Sequence, residues 1–332
     1  MIPITLQIGM IGTGYFSNMH CSILAKMPGV KIKAILGTSK EKANQFASQF
    51  DSAKGYDSLT QMLDMNTLDA VYISVPPMSH GEIELELIKR GIPFFIEKPL
   101  SNDIATPTKI LNELKNKPLL TSVGYHFRYK ESIQKLKSLL LEQQQGMVVG
   151  EWSGDMPMVS WWRDQNKSGG QFIEQTTHLV DLLRYLGGEI DEVFCYVSNQ
   201  VMHRKADNVS VSDVGTVNMR LTSGAVANLS NTCILPPGIN KVGLSFYTDQ
   251  GLLSWSQEKL HVRTTSATYD VIDKSNPYNI ENKAFIKALK TGDTSGILSD
   301  YEDAYQTLLV KVAALESAEK GVPVLLETLK RN

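Results

Sequence analysis

Residues 5–17 read Thr-Leu-Gln-Ile-Gly-Met-Ile-Gly-Thr-Gly-Tyr-Phe-Ser, and the reading of this stretch decides the fold. Residues 5–11 carry the apolar run of a buried strand. Gly12, Thr13, Gly14, Tyr15 and Phe16 follow as a tight turn, after which Ile23, Leu24 and Met27 recur at helical spacing until Pro28 and Gly29 stop them. Strand, glycine turn and helix in that order are the context in which N–H groups at a helix N-terminus point at a pyrophosphate. Ser17 stands where the fingerprint has its third glycine, and it is small enough for close packing of helix on strand. A plain turn between strand and helix is the competing reading.

Moving outward, a second strand over 31–36 leads to Gly37, Thr38, Ser39 and Lys40, then to a helix whose apolar face is Ala43, Phe46, Ala47 and Phe50. Sites that prefer NAD usually end this strand on an acid that binds the ribose hydroxyls. None stands at 36–38. Two hydroxyls and a lysine at a helix N-terminus suit a 2′-phosphate instead, so NADP is expected over NAD; Ser39 also serves as a simple cap in either case. Strands over 69–75, 93–97 and 119–124, with helices over about 79–90 and 104–116, continue a parallel βαβ pattern. Ser74 and Pro76 close one strand beside the expected coenzyme, with His80 just beyond. Glu97-Lys98-Pro99 closes the next. Open parallel sheets bind ligands at the C-terminal ends of their strands, so Lys98 is a candidate for chemistry, against a surface lysine paired with Glu97.

The pattern switches near Gly124. A helix marked by Ile133, Leu136, Leu139 and Leu140 ends at Gly146, and strands are expected over 148–155, 193–201, 211–221, 225–232, 242–248 and 260–265. Short turns such as Thr222-Ser223-Gly224 and Asp249-Gln250-Gly251 favour antiparallel connections. Two closing helices, over 279–290 and from a Ser299/Glu302 capping box to Lys320, are expected to serve packing.

Residues 168–181 read Ser-Gly-Gly-Gln-Phe-Ile-Glu-Gln-Thr-Thr-His-Leu-Val-Asp. If this stretch is one helix, Glu174 and His178 share a face, with Asp181 a turn further on. Such a face fits a proton-transfer pair, two metal ligands or an ordinary polar stripe. Just upstream, Met156, Met158, Trp161 and Trp162 crowd together without a period. Tryptophan faces suit the C–H faces of sugars and Arg163 would add a hydrogen bond, with core packing as the rival. Arg128 is a second polar candidate for substrate, with a structural salt bridge as its alternative.

A formal net charge of −2, with Lys and Arg scattered singly, gives no field for nucleic acid or an anionic membrane. Three cysteines far apart in sequence disfavour a disulfide framework or thiolate zinc site and fit a reducing cytoplasm. Residues 1–11 lack a basic start and are broken by Pro3 and Gly9, so neither signal peptide nor membrane anchor is expected there.

The glycine turn, Pro76 with His80, Glu97-Lys98-Pro99, the run from Gly124 to Arg128 and the glycine-led entry to His178 and Asp181 occur in an order that resembles the glucose-fructose oxidoreductase and inositol dehydrogenase (Gfo/Idh/MocA) family nearly end to end. The resemblance implies an α/β chain: an N-terminal Rossmann domain over 1–124, and a C-terminal α+β domain over 125–332 built on a large, mostly antiparallel sheet. The open face of that sheet would make a homodimer or homotetramer. It also implies a nicotinamide coenzyme, no metal, and hydride transfer to or from a carbinol carbon of a sugar, inositol or related polyol. Lys98, Glu174 and His178 take the catalytic roles, with His178 as general acid/base, Lys98 on the carbinol oxygen and Asp181 as a further partner. Glu174 stands where Asp is more usual and Thr176 where glycine is frequent, which leaves open whether Glu174 touches substrate or orients His178. The alternatives are a non-catalytic coenzyme-binding regulator and a glycosidase that uses bound coenzyme for transient oxidation.

Overall fold

The computed structural model describes residues 5–330, and the reading of residues 1–4 lies outside them. The chain divides into two compact units. The first runs to Ser101 and adds Ala105–Gly124 and Tyr278–Asp303; the second takes the rest.

In the first unit, strands β1 (Leu6–Ile11), β2 (Val30–Leu36), β3 (Lys54–Tyr56), β4 (Ala70–Ile73), β5 (Phe94–Ile96) and β6 (Thr121–Val123) form a six-stranded sheet in the order β3-β2-β1-β4-β5-β6. Every pairing in it is parallel. Helices α1 (Tyr15–Leu24), α2 (Lys40–Ala47), α3 (Leu59–Asp64), α4 (Glu82–Arg90) and α5 (Ala105–Asn116) follow successive strands. The winding reverses between β1 and β4, which is where such sheets open a crevice for ligand. Strand β3 has no apolar run to announce it. Its Gly55 is required by packing instead, since a Cβ there would lie 2.4 Å from the Asn44 backbone nitrogen in α2.

Residues 278–303, read from the sequence as part of the second domain, belong to this first unit. The cause is hydrophobic burial: Phe285 and Ile286 of helix α11 (Pro277–Thr291) join Ile8, Met10, Ile35 and Phe95 in one core.

The second unit carries, among the described residues, a nine-stranded sheet ordered β14-β13-β12-β11-β7-β10-β9-β8-β15. Its strands are β7 (Gln145–Ser153), β8 (Ile190–Ser198), β9 (Val214–Leu221), β10 (Val226–Thr232), β11 (Lys241–Thr248), β12 (Gly251–Ser256), β13 (Lys259–Thr264), β14 (Thr268–Ile272) and β15 (Val324–Leu325). Only β7 and β10 pair parallel. Strands β12, β14 and β15 were not expected, because β12 follows directly on a turn glycine, β14 is a polar, exposed edge and β15 has two residues.

Period-two alternation sorts this sheet into two faces. Val148, Leu229, Leu244 and Phe246 enter a core shared with helices α6 (Glu131–Leu140), α9 (Thr177–Gly187) and α12 (Tyr301–Lys320). Met147, Val149, Tyr196, Val226 and Tyr247 stay exposed. Three four-residue helices, α7 (Gln165–Ser168), α8 (Gln171–Glu174) and α10 (Met202–Lys205), and a closing α13 (Leu326–Lys330) complete the chain. At the start of α12 the cap is Asp300, whose Oδ1 accepts from Asp303 N at 2.9 Å; Ser299 Oγ instead donates to the Asp303 carboxylate. No helix of the described residues is long and apolar enough to cross a membrane.

Candidate active site

In the first unit the turn after β1 is shaped by two glycines with different duties. Gly12 has φ +112°, and a Cβ there would sit 2.1 Å from the Ser74 carbonyl oxygen and 2.8 Å from Ser17 Oγ. Any side chain would break the close approach of β1, β4 and α1. At Gly14 a Cβ would meet nothing within 4 Å, so the backbone is left bare on its outer side. Helix α1 begins there with no side-chain cap and no acid in its first turn. Its leading N–H groups therefore remain for an anion, and the helix dipole favours one. Beside this cradle lie Thr13, Tyr15 (79% exposed) and Phe16 (36% exposed). These residues fit a dinucleotide pyrophosphate.

At the end of β2, Thr38 is exposed and Ser39 caps α2 through Oγ and Lys42 N. The Lys40 ammonium donates to Gly55 O at 2.6 Å and lies 4.8 Å from the centre of the Tyr56 ring. That engages one of its three donors. Glu41 shares the turn, its carboxylate held below the usual range by its own backbone N–H and by the Ser39 hydroxyl.

Two expected coenzyme contacts are turned inward. His80 has a fully buried side chain whose Nδ1 lies 2.6 Å from Glu84 Oε1, while Glu84 Oε2 accepts from Gly81 N; the imidazole fastens the start of α4. Glu97 is 5% exposed and its Oε1 lies 2.8 Å from His20 Nε2. Its carboxyl fills the space that a Cβ at Gly124 would occupy. Ser74 and Pro76 remain half-buried at the end of β4, and Lys98 half-buried just past β5, before a cis peptide to Pro99.

In the second unit the glycine-led stretch departs from the single helix expected. Gly169 (φ +73°) ends α7 and Gly170 (φ +81°) opens α8. Helix α8 stops at Glu174. Thr176 N then reaches back to Gln171 O, and His178 N to Gln175 O, so the regular ladder is interrupted before α9 begins. The Gln171 amide donates to Thr232 O and accepts from Asn231, which ties the start of α8 to β10. The spacing of four between Glu174 and His178 therefore does not by itself put them on one helical face.

His178, in the first turn of α9, is 5% exposed and set among aromatic rings. Trp152 stacks on it at 5.9 Å, and Phe127 and His126 each lie 4.9 Å away. Tyr125 stands edge-on at 6.0 Å and hydrogen-bonds Thr177 Oγ1, while burial pushes its phenol well above the ordinary value. Sequence reasoning did not assign these four residues to the site. The signal was the aromatic run from Tyr125 to Phe127 directly after the pattern switch.

Glu174 accepts a hydrogen bond from Trp162 Nε1 at 2.9 Å. Trp162 is 1% exposed and belongs to a small core with Met156, Val211 and Cys233, which Trp161 flanks. The ring packs in this core, the rival to its expected place on a sugar, and its indole N–H holds Glu174. Arg163 donates to Asp207 O. Arg128 and Asp181, expected as substrate contacts, are paired with each other. They are 2% and 1% exposed, and the guanidinium binds both carboxylate oxygens, at 2.8 and 2.7 Å.

Comparison with known proteins follows this geometry. A model of an oxidoreductase family with an NAD-binding Rossmann fold matches residues 6–125, and a model of the GFO/IDH/MocA C-terminal domain matches residues 133–254. Myo-inositol 2-dehydrogenase of Thermotoga maritima is 26% identical over 341 residues, covering 97% of this chain and 99% of the relative. Scyllo-inositol 2-dehydrogenase (NAD(+)) of Bacillus subtilis is 25% identical, covering 97% and 96%. A solved structure of levoglucosan dehydrogenase with NADH and levoglucosan superposes with a TM-score of 0.88 at 22% identity, covering 97% of this chain and 99% of that one.

Proposed function

The chain belongs to the Gfo/Idh/MocA family of NAD-binding oxidoreductases, and on that premise we propose that it transfers a hydride between a nicotinamide coenzyme and a carbinol or ketone carbon of a sugar, inositol or related polyol. The observation that carries this reading is the bare backbone at Gly14, at the head of a helix with neither cap nor acid. The names of the inositol and levoglucosan dehydrogenase relatives support the substrate class.

Nicotinamide, when bound, supplies the hydride acceptor or donor, and the chain's residues handle the proton and the position. Gly12 to Phe16 hold the pyrophosphate end. His178 takes the carbinol proton in oxidation and returns it in reduction, a task that suits an imidazole near neutral pH. Lys98 donates to the carbinol oxygen as charge develops there. Glu174, oriented by Trp162, acts on the imidazole. Lys98→Met is expected to lower kcat about 10²–10³-fold, the usual loss for one such donor, with coenzyme affinity retained in a fluorescence titration; full turnover would remove Lys98 from the mechanism.

For the coenzyme, Thr38, Ser39 and Lys40 support NADP over NAD, with Glu41 as the opposing charge in the same turn. Lys40→Asp should weaken NADP about tenfold more than NAD, the size of one charge-assisted hydrogen bond. Equal weakening of the two would overturn the preference. The three cysteines are buried free thiols, which supports a reducing, cytoplasmic location. The exposed apolar residues of the second sheet support a homodimer or homotetramer formed through that face; light scattering should give a multiple of the 36.9 kDa chain, and a monomer at micromolar concentration would exclude it.

The test of the main reading is an assay of purified protein with NADP and NAD against a panel of sugars, inositols and other polyols, and in reverse with the matching ketones. Reduction of coenzyme by at least one compound is expected. Bound coenzyme with no turnover on any would favour the regulator.

A further inference from the structure

Behind the strand end that carries Lys98, the first unit buries three chemically active side chains from three separate elements. His20 comes from α1, Glu97 from the end of β5 and Glu281 from α11, and one ligand atom of each lies within 4.8 Å of the others. All three are buried, His20 and Glu281 completely. The Asn282 amide nitrogen lies 2.7 Å from Tyr278 O and 2.9 Å from His20 Nδ1, nearer the ring than its Oδ1 at 3.2 Å. Donation from that amide makes Nδ1 the acceptor, so the ring proton sits on Nε2 and serves Glu97 Oε1.

Glu281 has no such donor. Neither of its oxygens has a hydrogen-bond partner among the described residues. Tyr278 faces the same carboxylates from α11, with Tyr15 near it, and the His20 ring is otherwise walled by Tyr72 and Phe95. A bare carboxylate so placed, beside a second one, lacks both solvation and counter-charge. Burial first, and then the charge of Glu97, raises the Glu281 carboxyl well above its ordinary range.

We propose that Glu281 is held as the protonated acid beside Glu97, and that Glu281, Glu97 and His20 together are positioning residues for the strand end that presents Lys98. The positioning half rests on the catalytic reading of Lys98; the proton does not. Glu97 is held through Oε1 by the His20 ring, and Lys98 is the next residue along the chain.

The test is an infrared difference spectrum of the full-length protein at neutral pH, wild type minus Glu281→Gln. A protonated-carboxyl C=O band present in wild type and lost in the variant is expected. Absence of that band in wild type, or its persistence in the variant, overturns the proposal. So does a stoichiometric divalent cation found by elemental analysis, which would make the three groups metal ligands. In kinetics, Glu281→Leu should lower kcat by about 10²-fold at unchanged coenzyme affinity, the scale expected for slight misplacement of a reacting group. Glu281→Gln, which keeps a neutral donor, should restore most of it, and equal kcat in all three proteins would overturn the positioning half. If Glu281→Leu does not fold, the infrared result with Glu281→Gln still decides. A fully active Lys98→Met protein would sink the reading of Lys98 and leave the acid band untouched, so the two failures are distinct.

Discussion

Replacing His178 by Ala is expected to lower kcat by about 10²–10⁴-fold, the range for loss of a general acid/base, and to leave coenzyme binding intact if His178 acts as proposed. The loss corresponds to about 3–5 kcal/mol of transition-state stabilisation. The ring is the one imidazole of the glycine-led stretch, and Trp152, Phe127, His126 and Tyr125 pack around it. The residues proposed to hold the coenzyme, Gly12 to Phe16, belong to the first unit, so a fluorescence titration with NADP or NAD is expected not to change. The pH profile provides an independent mark: the limb that reports the imidazole in wild type should vanish in the variant. An unchanged kcat would remove His178 from the proton path.

Replacing Asp181 by Ala is expected to destabilise the second unit by about 3–5 kcal/mol, the cost of stranding one member of a buried ion pair. Arg128 would be left 2% exposed with its bidentate acceptor gone. Its guanidinium also lies 4.7 Å from the centre of the Tyr185 ring, and that contact does not replace an anion. The same residue deleted from a substrate pocket would instead raise KM at unchanged stability. Urea unfolding separates the two outcomes. An apolar double replacement, Arg128→Met with Asp181→Leu, should recover most of the loss, because it removes both charges at once. A midpoint unchanged by Asp181→Ala would return Asp181 to the list of substrate contacts.

The Rossmann unit was legible because its signals are local. An apolar run, a glycine turn and a helical period each occupy a few adjacent residues, and their alternation fixes a parallel order. The packing of 278–303 with this unit was not legible, since nothing in the amphipathic pattern of α11 says which core Phe285 will enter. The same limit applies to side-chain pairing. Glu97, His80, Arg128, Asp181 and Trp162 were all chosen as polar or aromatic residues at promising places, and all are used internally by partners distant in sequence or one turn away. Lys98 lies just past the end of β5 and His178 in the first turn of α9, positions that the local pattern alone could indicate. The break between α8 and α9 escaped notice because no glycine or proline marks it, and the contacts that tie α8 to β10, Gln171 with Thr232 and Asn231, span about sixty residues.

The central claim is hydride transfer to nicotinamide, and the most direct measurement uses the polyol or sugar that the assay panel identifies, carrying deuterium on its carbinol carbon. Mass analysis of the coenzyme after a single turnover should find that deuterium on the reduced nicotinamide with wild-type protein. Substrate consumed without label in the coenzyme, or a cleaved glycosidic bond with the coenzyme returned to its oxidised form, would contradict the account.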